Sequence, residues 1–217
     1  MNIDHLDVDS SVYRQELHHI ASRIKRPNLV FDLGANVGGF TKAMVGMWPE
    51  CEIHSFEPLK ETYDKLKDNV GLYSTVTCYN FGFSDYDNDK VQVGMPPIAA
   101  GKRHNFGRTT TNFEGESIGH IKIRNFGKWL QTRQHLIPDF MKVDIEGNEF
   151  PVLKSALEFG ILEKIPYIYA EINNHSNTKE SAQKAKALLL EYYDVIWSSP
   201  FNTSNGEPLN YLYKLKV

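Results

Sequence analysis

The sequence predicts an α/β chain built on an open, mostly parallel sheet with helices on both faces, and two observations carry that prediction. Short β-branched and aromatic runs alternate with helical periods along most of the chain, an order that requires crossover connections and therefore parallel strands. The first run, "LVFDL", passes directly into the glycine-rich turn "GANVGG" and a helix. That places a tight turn at the carboxyl end of a strand, where open sheets bind ligands. A length of 217 residues suits a single domain, residues 1–217, with a substantial core.

Each element has a local reason. Tyr13, Leu17, Ile20 and Ile24 fall at helical spacing after the capping candidates Asp9 and Ser10, and Pro27 ends the run, which gives a leading helix within residues 1–27. Next come "LVFDL", a helix from Gly39 to Met47, "EIHSF", a helix from Lys60 to Asn69 closed by Gly71, and "TVTCYN". After a short strand at "VQVGM", the polar, glycine-rich stretch 96–117 is too long for an ordinary connection and reads as a substrate or lid loop. Order resumes with "HIKIR", a short helix holding Trp129 and Leu130, strand "FMKVD", and a helix from Gly147 to Gly160 with Pro151 in its first turns. Strand "YIYAEI", a helix from Lys179 to Tyr193, strand "DVIWS" and strand "YLYKLKV" complete the chain. The turn "NTSNGEP" joins the last two as a hairpin, so the final strand runs antiparallel.

Composition narrows the function classes. A net charge of −3 and a pI near 6.2 provide no broad basic field, so no nucleic-acid partner is expected. No apolar stretch approaches the ~20 residues of a membrane span. The sequence therefore predicts a soluble, cytoplasmic protein without a membrane partner. Cys51 and Cys78, in apolar strand-like surroundings, read as buried reduced thiols.

The turn after the first strand points to a nucleoside-bearing ligand, but not to a dinucleotide. Gly34 lets the chain turn tightly and Gly38 and Gly39 permit close approach of helix and strand, whereas Asn36 stands where the pyrophosphate fingerprint needs its second glycine. Asp32 would repel a phosphate. Both features suit S-adenosylmethionine, with Asp32 helping to hold its methionine end and the amides around Ala35, Asn36 and Gly38 receiving its carboxylate. Glu57, 23 residues beyond Gly34, lies at the spacing of a carboxylate that binds ribose hydroxyls. Asn80, Phe81, Ser84 and Asp85, in "YNFGFSD", fall where an adenine would lie.

Two further strand ends bring acids to the same edge. "FMKVD" delivers Asp144, with Glu146 two residues on, and "YIYAEI" delivers Glu171, followed by Asn173 and His175. Methyl transfer to a hydroxyl needs alignment and removal of a proton, by a general base, a metal that acidifies the hydroxyl, or both. Asp144, Glu146, Glu171 and His175 are the catalytic candidates, with His175 or Asp144 taking the proton. Asp144, Glu171 and Asn173 would be oxygen ligands to Mg²⁺ or a similar divalent cation, or these groups would bind acceptor hydroxyls directly. Arg108 and Thr110 of the long loop, and Lys142, are the acceptor-binding candidates; a solvated loop is the alternative for 96–117.

"VFDLGANVGGFT", "IHSFEP", "NFGFSD", "DFMKVDIEGNEFPVLKSA" and "YIYAEINNH" together resemble the FkbM-type S-adenosylmethionine-dependent O-methyltransferases over roughly residues 28–175. The resemblance implies the Rossmann-like class I methyltransferase sheet of seven strands, mostly parallel with an antiparallel last strand. It makes Asp32, Gly34, Asn36 and Glu57 cofactor residues and places Asp144, Glu146 and Glu149 in the family signature. It implies a small-molecule, sugar, glycan or polyol acceptor; the chain would be a whole protein or a domain of a larger glycan-modifying protein. Rival readings are an RNA or protein methyltransferase, a module that binds the cofactor without chemistry, and an NAD-dependent dehydrogenase, against which Asn36 stands.

Overall fold

The computed structural model describes residues 11–94, 117–172, 179–200 and 208–217. Helix α1 (Ser11–Ala21) precedes strand β1 (Leu29–Leu33), helix α2 (Gly39–Met47), strand β2 (Glu52–Phe56), helix α3 (Lys60–Val70) and strand β3 (Val76–Tyr79). Strands β4 (Gly82–Ser84), β5 (Asn88–Gly94) and β6 (Ser117–Asn125) lead to helix α4 (Phe126–Gln131) and strand β7 (Phe140–Val143). Helix α5 (Glu149–Glu158), strand β8 (Tyr167–Glu171), helix α6 (Lys179–Tyr192) and strands β9 (Tyr193–Ser198) and β10 (Asn210–Leu215) follow.

Seven strands form one sheet in the order β3-β2-β1-β7-β8-β10-β9. The chain starts in the middle and works outward in both directions, which leaves the loops after β1, β2 and β7 diverging at the centre of the carboxyl edge. Strands β3 to β8 in that order pair in parallel, and β10 runs antiparallel to both β8 and β9, as the hairpin reading expects. Both faces are covered. Val30, Ile53, Phe140, Tyr169 and Leu212 face Leu17 and Ile20 of α1 and Phe40 and Met44 of α2. Phe31, Leu33, Met141, Val143 and Ala170 face Leu130 of α4, Val152 and Leu153 of α5, and Ala185 and Leu189 of α6. Every residue of β1 is buried, the pattern of a parallel strand packed on both sides.

A second sheet, β4-β6-β5, was not legible in the sequence. The run "CYNFGFSD", read as the end of one strand, divides at Asn80 and Phe81: β3 stays in the main sheet while β4 pairs with β6. Gly82 permits the crossing, because a Cβ there would lie 3.2 Å from Ile123 and 3.3 Å from Pro58. Val93, Ile121 and Ile123 of this sheet form a small apolar pad with Leu59, just beyond the end of β2. Helix α5 begins at Glu149, two residues later than expected, because Glu146 (φ 53) and Gly147 (φ 104) adopt left-handed backbone that cannot start a right-handed helix. The loop 96–117 lies outside the described residues except for Ser117, which opens β6. Cys51 is buried and Cys78 half-buried, both as free thiols.

Candidate active site

The turn after β1 is tied to the end of β2. Gly34 and Ala35 donate their backbone N–H groups to Phe56 O at 3.1 and 3.0 Å, and Asn36 donates its own to Glu57 Oε2 at 3.0 Å. Asn36 is left-handed (φ 50), a conformation that asparagine tolerates better than most residues. Glu57 Oε1 accepts from Leu59 N at 2.9 Å, so the carboxylate joins its own loop to the glycine turn. Burial pushes the Glu57 carboxyl up to about 7, against the opposing pull of the Leu59 and Asn36 amides. Asn80 completes this corner by donating to the carbonyls of Glu57 and Pro58, both at 3.0 Å.

Gly34 is required by packing. Its φ is +79, and a Cβ would stand 1.8 Å from the backbone oxygen of Asp144, so the first turn and the end of β7 touch without room for a side chain. Gly38 (φ +91) lets α2 approach α3 rather than a strand: a Cβ there would meet Leu66 at 2.9 Å and Val70 at 3.1 Å. No side chain caps α2 at Gly38, so the first amides of that helix remain available to an acceptor group.

Asp32 is fully buried and engaged on both oxygens. Oδ2 accepts from Thr41 Oγ1 at 2.7 Å, and that hydroxyl also meets Ser55 Oγ at 2.8 Å. Oδ1 lies 3.1 Å from Lys142 Nζ. The Lys142 ammonium further donates to Gly34 O at 2.9 Å, stands 3.4 Å from Asp144 Oδ2, and lies 5.6 Å from the centre of the Phe40 ring. Lys142, expected among acceptor-binding groups, is therefore spent inside the protein, bracing the glycine turn against the β7 terminus. Asp32, one residue short of the carboxyl end of β1, is likewise fully buried. Thr41 and Ser55 gave no sequence signal, since a helix threonine and a strand serine are ordinary in isolation.

Asp144 and Glu171 are brought together. Val143 and Ala170 are register partners in β7 and β8, so the next residues end adjacent strands side by side. Burial, then the charges of Asp144 and Glu146, push the Glu171 carboxyl well above the usual range, with Lys142 opposing. Glu149, buried, accepts from the amides of Ile145 (3.2 Å) and Gly147 (3.1 Å) and thereby pins the turn that presents Glu146. Its carboxyl is pushed up to about 7 by burial. Asn173 and His175, with Arg108 and Thr110, lie outside the described residues.

At the other corner, half-buried Phe81 packs edge-on to Phe56 and Tyr79. Ser84 is buried and its hydroxyl donates to Asn148 Oδ1 at 3.2 Å, while the Asp85 carbonyl accepts from Asn125 Nδ2 at 2.7 Å. Ser84 thus ties the second sheet to the turn that follows β7, and Asp85 ties the end of β4 to the end of β6. Among the described residues no group of three or more His, Cys, Asp or Glu side chains is arranged to hold a metal ion, and the ammonium beside Asp144 is a poor neighbour for a dication.

Residues 32–196 match the Methyltransferase FkbM domain, a span that runs from Asp32 through the acidic strand ends. The chain belongs to the FkbM methyltransferase family. Over 154 residues it is 27% identical to the hexuronic acid methyltransferase AglP of Haloferax volcanii, covering 70% of this chain and 59% of that protein. Over 178 residues it is 23% identical to the AMB antimetabolite synthetase AmbE of Pseudomonas aeruginosa, covering 67% of this chain and 8% of that protein. The chain thus spans less than two thirds of the length of either curated relative. Among solved structures, the N-methyltransferase NodS of Bradyrhizobium japonicum superposes with a TM-score of 0.55 at 7% identity, covering 99% of this chain and 100% of NodS. The O-methyltransferase TomG of Streptomyces achromogenes, solved with S-adenosylmethionine, gives 0.54 at 10% identity over 95% of this chain and 80% of TomG. At those identities the likeness is one of fold: the Rossmann-like class I methyltransferase sheet.

Proposed function

We propose that this methyltransferase uses S-adenosylmethionine to methylate a hydroxyl group of a sugar or related polyol. The observation that carries the reading is the division of one sheet edge into two corners. Glu57, Asn36 and Asn80 form a nucleoside corner at β1, β2 and β3, and Asp144 and Glu171 form an acidic corner at β7 and β8.

The residues fit the cofactor. Each Glu57 oxygen that accepts a backbone amide keeps a second lone pair for a ribose hydroxyl. The uncapped amides of α2 suit the methionine carboxylate. When bound, the cofactor supplies a methyl group already activated on a sulfonium. The protein's task is then to align an oxygen and remove its proton. Glu171 takes that proton: its raised pKa makes it a stronger base than an ordinary carboxylate, closer to the weakly acidic sugar hydroxyl. Lys142 holds Asp144 beside it, and Glu149 holds the turn bearing Glu146. The carboxylates of this corner would repel an anionic oxygen acceptor and accept hydrogen bonds from neutral hydroxyls, which favours ether formation at an alcohol. The relationship to a hexuronic acid methyltransferase makes acidic sugars the first acceptors to try, provided that the hydroxyl rather than the carboxylate faces Glu171.

The test is a methyl-transfer assay with glucuronate, galacturonate and neutral hexose glycosides, with catechol and with RNA, read as S-adenosylhomocysteine formed and as the position of the new methyl. Turnover with a sugar alone, unchanged by EDTA, is expected. Turnover only with RNA, or with nothing, would sink the reading.

A further inference from the structure

Tyr13, Leu17, Ile20 and Ile24 share helical spacing in and just after helix α1. Leu17, Ile20 and Ile24 are buried, but Tyr13 is 37% exposed. The reason is where the helix leads. Arg23 donates to Ile196 O, at the level of mid-β8 in the sheet, whereas Glu16 accepts from the Tyr169 hydroxyl and from Asn210 Nδ2 at 3.1 Å. Asn210 is the register partner of Glu171, so the amino-terminal end of α1 climbs to the carboxyl edge at the acidic corner. Helical side chains lean towards the helix amino terminus, and Tyr13 lies nearly one turn beyond Glu16, about 5 Å along the axis. Its ring stands edge-on to Phe40 at 5.7 Å, and the same Phe40 ring lies 5.6 Å from Lys142 Nζ.

From this placement we infer that Tyr13 is an acceptor-binding residue, offering its ring to the C–H face of a sugar and its phenol to a sugar oxygen. The inference rests on the sugar-hydroxyl reading above. Among the described residues no hydrogen bond engages the phenol, which leaves it free to serve a ligand. Burial raises its pKa; Lys142 opposes that shift, and Asp144, Asp32 and Glu171 add to it, so the group acts as a hydrogen-bond donor and not as a base. The location separates Tyr13 from the nucleoside end of the cofactor, because Asp144 and Glu171 lie at β7 and β8 whereas Glu57 and Asn80 mark the nucleoside corner at β2 and β3.

The experiment compares wild type, Y13F and Y13A for methyl transfer to methyl glucuronide and for S-adenosylhomocysteine binding. It adds fluorine NMR of protein carrying 3-fluorotyrosine at position 13, titrated with the glucuronide after the homocysteine product has bound. The expected result is a KM raised roughly tenfold in Y13A and less in Y13F, with kcat and cofactor affinity within about twofold of wild type, the size of effect that one polar or packing contact gives. The fluorine resonance should move on addition of the sugar. Cofactor affinity weakened as much as KM is raised would assign Tyr13 to the cofactor and overturn the inference, as would a fluorine signal indifferent to the sugar. Turnover by wild type with that indifferent signal would overturn Tyr13 alone. A signal that moves without turnover would keep Tyr13 as a sugar contact and sink methyl transfer to that sugar.

Discussion

The Lys142 ammonium lies 3.1 Å from Asp32 Oδ1, and the two side chains are only 5% and 0% exposed. The pair joins two adjacent parallel strands one residue short of their carboxyl ends, since Asp32 and Lys142 are register partners. A buried ion pair adds little net stability over an apolar pair of the same shape, but removing one partner strands the other charge away from water. K142M should therefore destabilise the protein by roughly 3–5 kcal/mol, and D32N combined with K142M should recover part of that loss. Urea denaturation measures both. A K142M loss below about 1 kcal/mol would mean that solvent reaches Asp32, contrary to its burial.

Glu57 links two strand ends and has lone pairs left over. In E57A the nucleoside corner loses its charged acceptor, which should weaken S-adenosylhomocysteine binding by about tenfold to a hundredfold, the range for hydrogen bonds to a charged group. Calorimetric titration reads this directly. Binding as tight as in wild type would place the ribose elsewhere.

Gly34 separates packing from ligand access. G34A places a methyl 1.8 Å from Asp144 O at a φ of +79, so the β1 turn and the β7 terminus must part. Soluble yield and thermal midpoint should fall sharply even without ligand, whereas G46A, inside α2 with nothing within 4 Å, should lower neither and serve as the control. A G34A protein with a wild-type midpoint that lacks only cofactor binding would show that the glycine serves the ligand alone.

The main sheet was legible because its strands are continuous apolar runs bounded by turn residues and spaced by helical periods, a pattern that local sequence reports directly. The second sheet was not, because β4 is three residues long and its partners come from elsewhere in the chain; such pairing is decided by tertiary packing around Gly82 and Leu59. At the site, Glu57 and the adjacent acids at β7 and β8 could be read from strand ends alone. The engagement of Lys142 by Asp32 could not, because a lysine alternating with apolar residues in a strand gives no sign of which charge it meets. Tyr13 shares the helical spacing of Leu17 and Ile20 yet stays 37% exposed, and spacing alone does not report which residues of such a stripe the neighbouring elements cover.

Glu149 makes stability fall with rising pH. Its carboxyl shifts from an ordinary 4.5 to about 7 in the folded protein. Between those values the folded state holds more protons than the unfolded state, so the stabilisation is complete below about 4.5 and is lost as pH rises through 7. In E149Q one amide oxygen can still accept from both Ile145 and Gly147, as Oε1 does now. The variant should match wild type near pH 4 and exceed it at pH 8 by an amount on the order of 1–3 kcal/mol, read from thermal unfolding across the range. An equal pH slope in both proteins would show that Glu149 is ionised throughout.

Glu171 gives the rate a pH dependence of the opposite direction. As the proton acceptor it must be ionised, and burial beside Asp144 and Glu146 raises its pKa well above that of an ordinary carboxylate. At saturating cofactor, kcat should therefore climb through neutrality, approaching about tenfold per pH unit on the acid side, and level off only in the alkaline range. Saturation matters because Glu57, with its own pKa near 7, would otherwise add a binding step to the profile. E171Q should lower kcat by about a hundredfold or more and flatten the profile, while S-adenosylhomocysteine affinity stays within about twofold of wild type. D144N, which keeps Glu171 but removes the largest charge acting on it, should shift the alkaline rise to lower pH rather than abolish it. A flat wild-type profile, or an E171Q profile that still rises, would move the proton acceptor away from β8.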